Sequence, residues 1–174
     1  QSFWISPTGK RALFGARGEL LTVPAEHGQT INLTHSSGIY ETSPEWSPNG
    51  KSVAYFSDQN GEFNLFIRNA DGTGTPEKMT EFTENYRTGT KWSPDSKKIA
   101  FTDQIGNLFV LDIASKAVSI AANSKVNEIS DYSWSPDSDW LIYSKPGKTK
   151  NNVIYAYRLS NGENLQLTSG FYRD

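Results

Sequence analysis

The residue types that catalysis draws on are thin in this sequence and do not converge. There are two histidines, His27 in Glu26-His27-Gly28 and His35 in His35-Ser36-Ser37-Gly38. A Ser-His-acid triad needs a base that touches the nucleophile and is itself oriented by an acid. His35 beside Ser36 is adjacency along the chain, so both histidines read as surface loop residues. No Gly-x-Ser-x-Gly elbow and no His-Glu-x-x-His or paired-histidine zinc pattern occurs. Gly72-Thr73-Gly74 lacks the lysine and the helix of a phosphate loop and reads as a turn. There is no cysteine, which removes disulfides, thiolate metal sites and thiol nucleophiles. Carboxylates are the remaining acid-base candidates: Glu41, Glu45 and Asp131. They do not occupy one repeated position, and the inner-strand copies also carry Arg87 and Lys91, which weighs against the two or three acids of a channel glycosidase. Asp95 and Asp137 sit in turns, where an Asx-type bond to the turn backbone is their expected role. No acidic cluster has the pattern of a calcium loop. No cofactor is implied.

The elements that would position these residues are set by an internal repeat. Ser-Pro recurs at Pro7, Pro48, Pro94 and Pro136, in steps of 41, 46 and 42 residues. Each copy carries the same frame, as in Trp46-Ser47-Pro48-Asn49-Gly50-Lys51 and Trp92-Ser93-Pro94-Asp95-Ser96-Lys97. An aromatic follows each proline by seven residues: Phe14, Tyr55, Phe101 and Tyr143. Those four rings are expected at equivalent buried positions. A step of this length suits four short strands.

The second copy predicts strands at Ser43–Trp46, Ser52–Ser57, Phe63–Arg68 and Pro76–Thr80, separated by turns at Pro48-Asn49-Gly50, Asp58 to Gly61 and Asp71-Gly72. Third strands are expected at Glu19–Val23, Asn107–Asp112 and Asn152–Arg158. Fourth strands end in Leu33-Thr34, Met79-Thr80 and Leu167-Thr168, and the third copy's ending near Ile120 is degenerate. Met79, Phe82 and Tyr86 have helical spacing, but the match of Met79-Thr80 to the other endings favours a strand. Four-stranded units at this period give an all-β fold, a β-propeller. The expected blades are residues 3–34, 41–80, 89–122 and 130–168, with 169–174 leading into a next one. Trp46, Trp92 and Trp134 are expected to pack between blades.

Composition agrees. Lys plus Arg is 17 against 19 Asp plus Glu, a net charge of −2, so the basic footprint of a nucleic-acid binder is missing. Hydrophobic residues are 36% and aromatics 13%, enough for a core. No apolar run approaches the roughly 18 residues of a membrane span. Gln1-Ser2-Phe3-Trp4 has no Met and no signal-peptide layout, which points to a stretch inside a longer chain. The compartment stays open between periplasm and cytoplasm.

The frame Trp-Ser-Pro-Asp/Asn-Gly/Ser-Lys, a strand ending in an aromatic, then Leu-Thr, resembles the propeller repeats of the TolB and tricorn type. Longer strings narrow this. Residues 6–19 with Thr22-Val23-Pro24-Ala25 resemble the opening of the second propeller of bacterial tricorn-like serine proteases. Residues 92–101 and 131–138 resemble its later blades, and Gly170-Phe171-Tyr172 resembles the lead into another. The resemblance implies the first four blades of a seven-bladed, non-catalytic propeller. That propeller gates or guides peptide substrates toward a catalytic site in other domains. The family's catalytic residues have no counterpart here.

Implied partners are the remaining blades, the catalytic domains and peptides. A TolB-like periplasmic protein-binding propeller is the alternative, and a channel glycosidase a third reading. Residues ahead of the inner strands would face the channel mouth. Of these, Glu41, Arg87, Asp131 and Arg173 are the candidate channel or peptide contacts. Four blades of a larger ring leave one apolar face bare at each end. Self-association is therefore expected over closure into a four-bladed ring.

Overall fold

The computed structural model describes residues 3–147 and 151–169. Sixteen strands and no helix occur among them. They form four antiparallel sheets of four strands each. The first holds β1 (Phe3–Ile5), β2 (Arg11–Ala16), β3 (Glu19–Pro24) and β4 (Ile31–Asn32). The second holds β5 (Glu41–Trp46), β6 (Ser52–Ser57), β7 (Asn64–Asn69) and β8 (Glu77–Lys78). The third holds β9 (Arg87–Trp92), β10 (Lys98–Asp103), β11 (Asn107–Asp112) and β12 (Val118–Asn123). The fourth holds β13 (Tyr132–Trp134), β14 (Trp140–Pro146), β15 (Asn152–Arg158) and β16 (Asn164–Gln166). In every sheet the strands are neighbours in chain order. The spacing of Met79, Phe82 and Tyr86 does not produce a helix, because Met79 is drawn to β7 by its amide bonding Leu65 O at 2.8 Å.

The Ser-Pro frame works as a closed hydrogen-bond unit. Ser93 Oγ donates to Asp95 Oδ1 at 2.6 Å and accepts from Lys98 N at 2.9 Å, while Lys97 N donates to Asp95 Oδ1 at 3.0 Å. Asn49 takes the Asp95 role in the second sheet, with Lys51 N at 2.9 Å. Asp137 takes it in the fourth, with Asp139 N at 3.2 Å. The expected Asx bonds are therefore present. They hold the Asp95 and Asp137 carboxyls below the usual range, against the opposing effect of burial, which is the largest single influence at Asp95.

A second device ends three of the four outer strands. Strands β4, β8 and β16 stop just before the Leu/Met-Thr pair instead of including it. The threonine hydroxyl then accepts an amide of the third strand: Leu20 N to Thr34 Oγ1 at 3.0 Å, Leu65 N to Thr80 Oγ1 at 2.9 Å and Ile154 N to Thr168 Oγ1 at 3.0 Å. The third sheet lacks the threonine. There Ser124 N bonds Gly106 O at 2.8 Å, and β12 runs six residues where the other outer strands run two or three.

The chain divides into two compact units, Gln1–Trp92 and Ser93–Asp174, with the division between β9 and β10. In the first, Leu13, Leu20 and Leu33 pack with Trp46, Val53, Tyr55 and Phe66, so Trp46 does lie between sheets. In the second, Ala100, Leu108 and Val110 pack with Leu141 and Tyr143, and Trp134 joins them from the edge. Val53, Ala54, Tyr55 and Phe56 are all buried, which is why β6 does not alternate.

The four repeat aromatics occupy one register position. Phe14 pairs with Leu21, Tyr55 with Phe66, Phe101 with Phe109 and Tyr143 with Tyr155. Three are buried, as expected. Phe14 is not: it is 36% exposed. It lies with Phe3, its β1 partner, on an open face of the first sheet. Ile142, Ile154, Leu165 and Leu167 are likewise exposed in and beside the fourth sheet.

Candidate functional site

Glu41 opens β5 and is only 6% exposed. Its Oε1 accepts the Ser36 hydroxyl at 2.5 Å. Its Oε2 is buried and has no hydrogen-bond partner of normal geometry among the described residues. Burial pushes the carboxyl above its ordinary range, opposed by the Ser36 and Thr34 hydroxyls and reinforced by Glu19 and Asp58. Ser36 therefore serves Glu41, while His35 is exposed and its backbone amide bonds Asn32 Oδ1. Glu41 lines a cavity of about 610 Å³ between the β2–β3 turn and the segment leading into β5. The turn approaches that segment closely. Glu41 N donates to Gly18 O at 3.0 Å, and a Cβ on Gly18 would stand 2.4 Å from Ile39 O.

The inner strand here is longer than the expected Ser43–Trp46. Ser43, at φ 50°, and Pro44 form a bulge opposite β6, and the strand resumes on its far side through Thr42 and Glu41. The bulge faces β9. Ser43 Oγ lies 2.8 Å from Thr88 Oγ1 and accepts Gly89 N at 3.2 Å. Glu45 completes this seam. Its Oε2 accepts Trp92 N at 2.9 Å and its carbonyl accepts Trp92 Nε1 at 3.2 Å. Burial raises its carboxyl to about 7, with the Trp92 amide and Lys91 pulling the other way. Glu45 thus ties two inner strands together.

Arg87 opens β9 at the position that Glu41 takes in β5, five residues before the tryptophan. It is buried, donates to Glu84 O and Asn85 O, and stacks 3.4 Å from the Phe82 ring centroid. Tyr40 and Tyr86, both partly exposed, meet through Phe63, at 6.1 Å and 4.9 Å between ring centroids. The sequence places Phe63 inside a strand; in the structure it stands just before β7 and serves this cluster instead. Asp131 is exposed, and its carbonyl accepts Ser144 N at 2.9 Å. Arg173 lies outside the described residues. Trp4, Ser36 and Phe63 join these surroundings without any signal in the sequence. Only the tertiary approach of loops brings them into play, and no local spacing announces it. Among the described residues no group of three or more His, Asp or Glu is placed to hold a metal ion.

Residues 1–174 match the family model described as the tricorn protease second beta propeller domain. The chain belongs to this tricorn propeller family. Solved structures share the fold. The crystal structure of the tricorn protease aligns over 97% of this chain and 16% of its own length, at 17% identity and a TM-score of 0.80. A putative TolB from Agrobacterium tumefaciens aligns over 97% of this chain and 62% of its own, at 21% identity and a TM-score of 0.74. A puromycin-hydrolyzing peptidase from Mycobacterium tuberculosis aligns over 99% and 29%, at 13% identity and a TM-score of 0.68. The chain spans less than two thirds of each of these relatives. Its four sheets of four antiparallel strands are those of a propeller fragment.

Proposed function

We propose that this chain is a non-catalytic part of a tricorn-like peptidase, guiding or gating peptide substrates toward a catalytic site in other domains. The observation that carries the reading is the match to the second propeller of tricorn proteases along the entire chain. The exposed apolar faces of the first and fourth sheets support it, since further blades of a ring would cover them. Candidate peptide contacts are Glu41, Arg87, Asp131 and Arg173. Asp131 is the solvent-exposed one of the three that are described.

A second reading, a TolB-like protein-binding propeller, draws on the TM-score of 0.74 with the Agrobacterium protein. The two separate in the parent protein carrying Asp131→Lys. For a gate, kcat/KM for long peptides should change several-fold while a short chromogenic substrate is cleaved as before. Equal effects on both substrates, or none on either, would reject the gating role.

A further inference from the structure

We propose that the cavity beside Glu41 is a binding site for a primary ammonium group. A carboxylate has about four lone-pair sites, and a buried polar atom without a partner costs on the order of 1–3 kcal/mol. Glu41 Oε1 is used by Ser36, whereas Oε2, on a residue that lines the cavity, is buried and makes no hydrogen bond of normal geometry, the Thr34 hydroxyl that also acts on this carboxyl included. An N–H donor arriving through the cavity supplies the missing bond, and a charged one does so most strongly.

The sign of the local field agrees. Glu19 and Asp58 both act on Glu41 as like charges, so the surroundings of this carboxyl favour a cation. Asp58 is fixed there, because its Oδ1 accepts the Tyr40 amide at 2.8 Å. The wall adds to this. Trp4 and Tyr40 line the same cavity, and aromatic faces attract ammonium ions. Arg17, an exposed residue of the lining, carries the opposite preference and makes an anion the competing occupant.

Glu41 also stands on a rigid frame. Its own amide is tied to Gly18 O, and Gly18 has no room for a side chain. The orphan oxygen is therefore fixed in place before any ligand arrives, which spares a bound ammonium the cost of ordering it. The shared chemistry covers a peptide α-ammonium and a lysine ε-ammonium. Its use for peptides rests on the guiding role proposed above, whereas the site does not.

The test is an NMR titration of the ¹⁵N-labelled 174-residue chain with glycinamide, which has an ammonium and no carboxylate. The Gly18, Ile39 and Tyr40 amides should shift with glycinamide and stay still with N-acetylglycinamide. Glu41→Gln, which keeps the Ser36 contact and removes the charge, should weaken glycinamide at least tenfold. Tyr40→Ala, at a side chain 53% exposed and so tolerant of change, should weaken it several-fold and decides the matter if Glu41→Gln does not fold. No shift with glycinamide, equal shifts with the acetylated form, or acetate binding at Arg17 in its place would overturn the site. A tetrapeptide with a free N-terminus, its N-acetyl form, and the N-acetyl form with an internal lysine then separate the two sources. If glycinamide binds and none of the peptides does, the site stands and the peptide-guiding role falls.

Discussion

Glu45 shows how one side chain can be structural and still carry a pH signature. Its carboxyl is raised to about 7 from 4.5 because it is withdrawn from water between two inner strands. Below pH 4.5 it is protonated both folded and unfolded and has no effect on stability. As pH rises toward 7 the unfolded chain loses the proton first, so the folded state is progressively destabilised. Above 7 the loss is complete. Gln keeps an oxygen for the Trp92 amide and has no charge to bury. Glu45→Gln should therefore gain about 1–2 kcal/mol at about pH 8 and close to nothing at about pH 4, since solvent reaches part of the side chain and trims the effect. Thermal unfolding at the two pH values checks this. At roughly 2–4 °C per kcal/mol for a chain of this size, the difference is measurable. A gain of equal size at both values would mean that packing, and not the carboxyl proton, is responsible.

At the scale of the element, the strands are readable because each copy encodes its own turn. The bonds of Ser-Pro-Asn/Asp in three copies, with Thr8 in the first, and the positive φ of Gly9, Gly50, Ser96 and Ser138 sit at fixed offsets, so four turns are legible from four short strings. Segments outside the frame are less so. Ser43-Pro44 is expected to open the inner strand and is instead a bulge within it, beyond which Thr42 and Glu41 continue the pairing with β6. The third outer strand lacks Leu-Thr, and its six residues close instead through Ser124 and Gly106, a pairing between loop backbones that carries no side-chain pattern. The cavity at Glu41 is invisible for the same reason: Ser36, Gly18 and Trp4 gather around it only in three dimensions.

The threonine after three of the four outer strands gives a quantitative test. Thr80→Val keeps the shape and leaves the buried Leu65 amide unpaired, so it should cost about 1–3 kcal/mol in chemical denaturation. Thr168→Val makes the same change where water can reach the Ile154 amide and should cost a few tenths of that. Equal costs would show that the hydroxyl is not what closes the third strand.

For the whole molecule, the apolar faces of the first and fourth sheets set the behaviour in solution. Phe3, Ile5 and Phe14 on one, and Ile142, Ile154, Leu165 and Leu167 on the other, form surfaces that isolated soluble chains rarely leave open. Sedimentation of the purified chain should show concentration-dependent association, lost when Ile5→Lys and Leu167→Lys are combined. A monodisperse monomer over the same concentrations would instead mean closure within one chain or faces that tolerate water.

Turn and threonine bonds that close inside the blade that makes them also bear on descent. A sheet so equipped satisfies its own corners and meets its neighbours over surfaces rich in apolar side chains of common type. A duplicated or deleted stretch of 41 to 46 residues, cut at equivalent points, would therefore arrive with those internal bonds intact, and only the contacts between sheets, such as the Glu45–Trp92 seam, would have to be made anew. Blade number is in this sense a cheap variable for a lineage. The third copy, which lacks the threonine and closes through Ser124 N on Gly106 O, shows that a blade can do without the device its neighbours share.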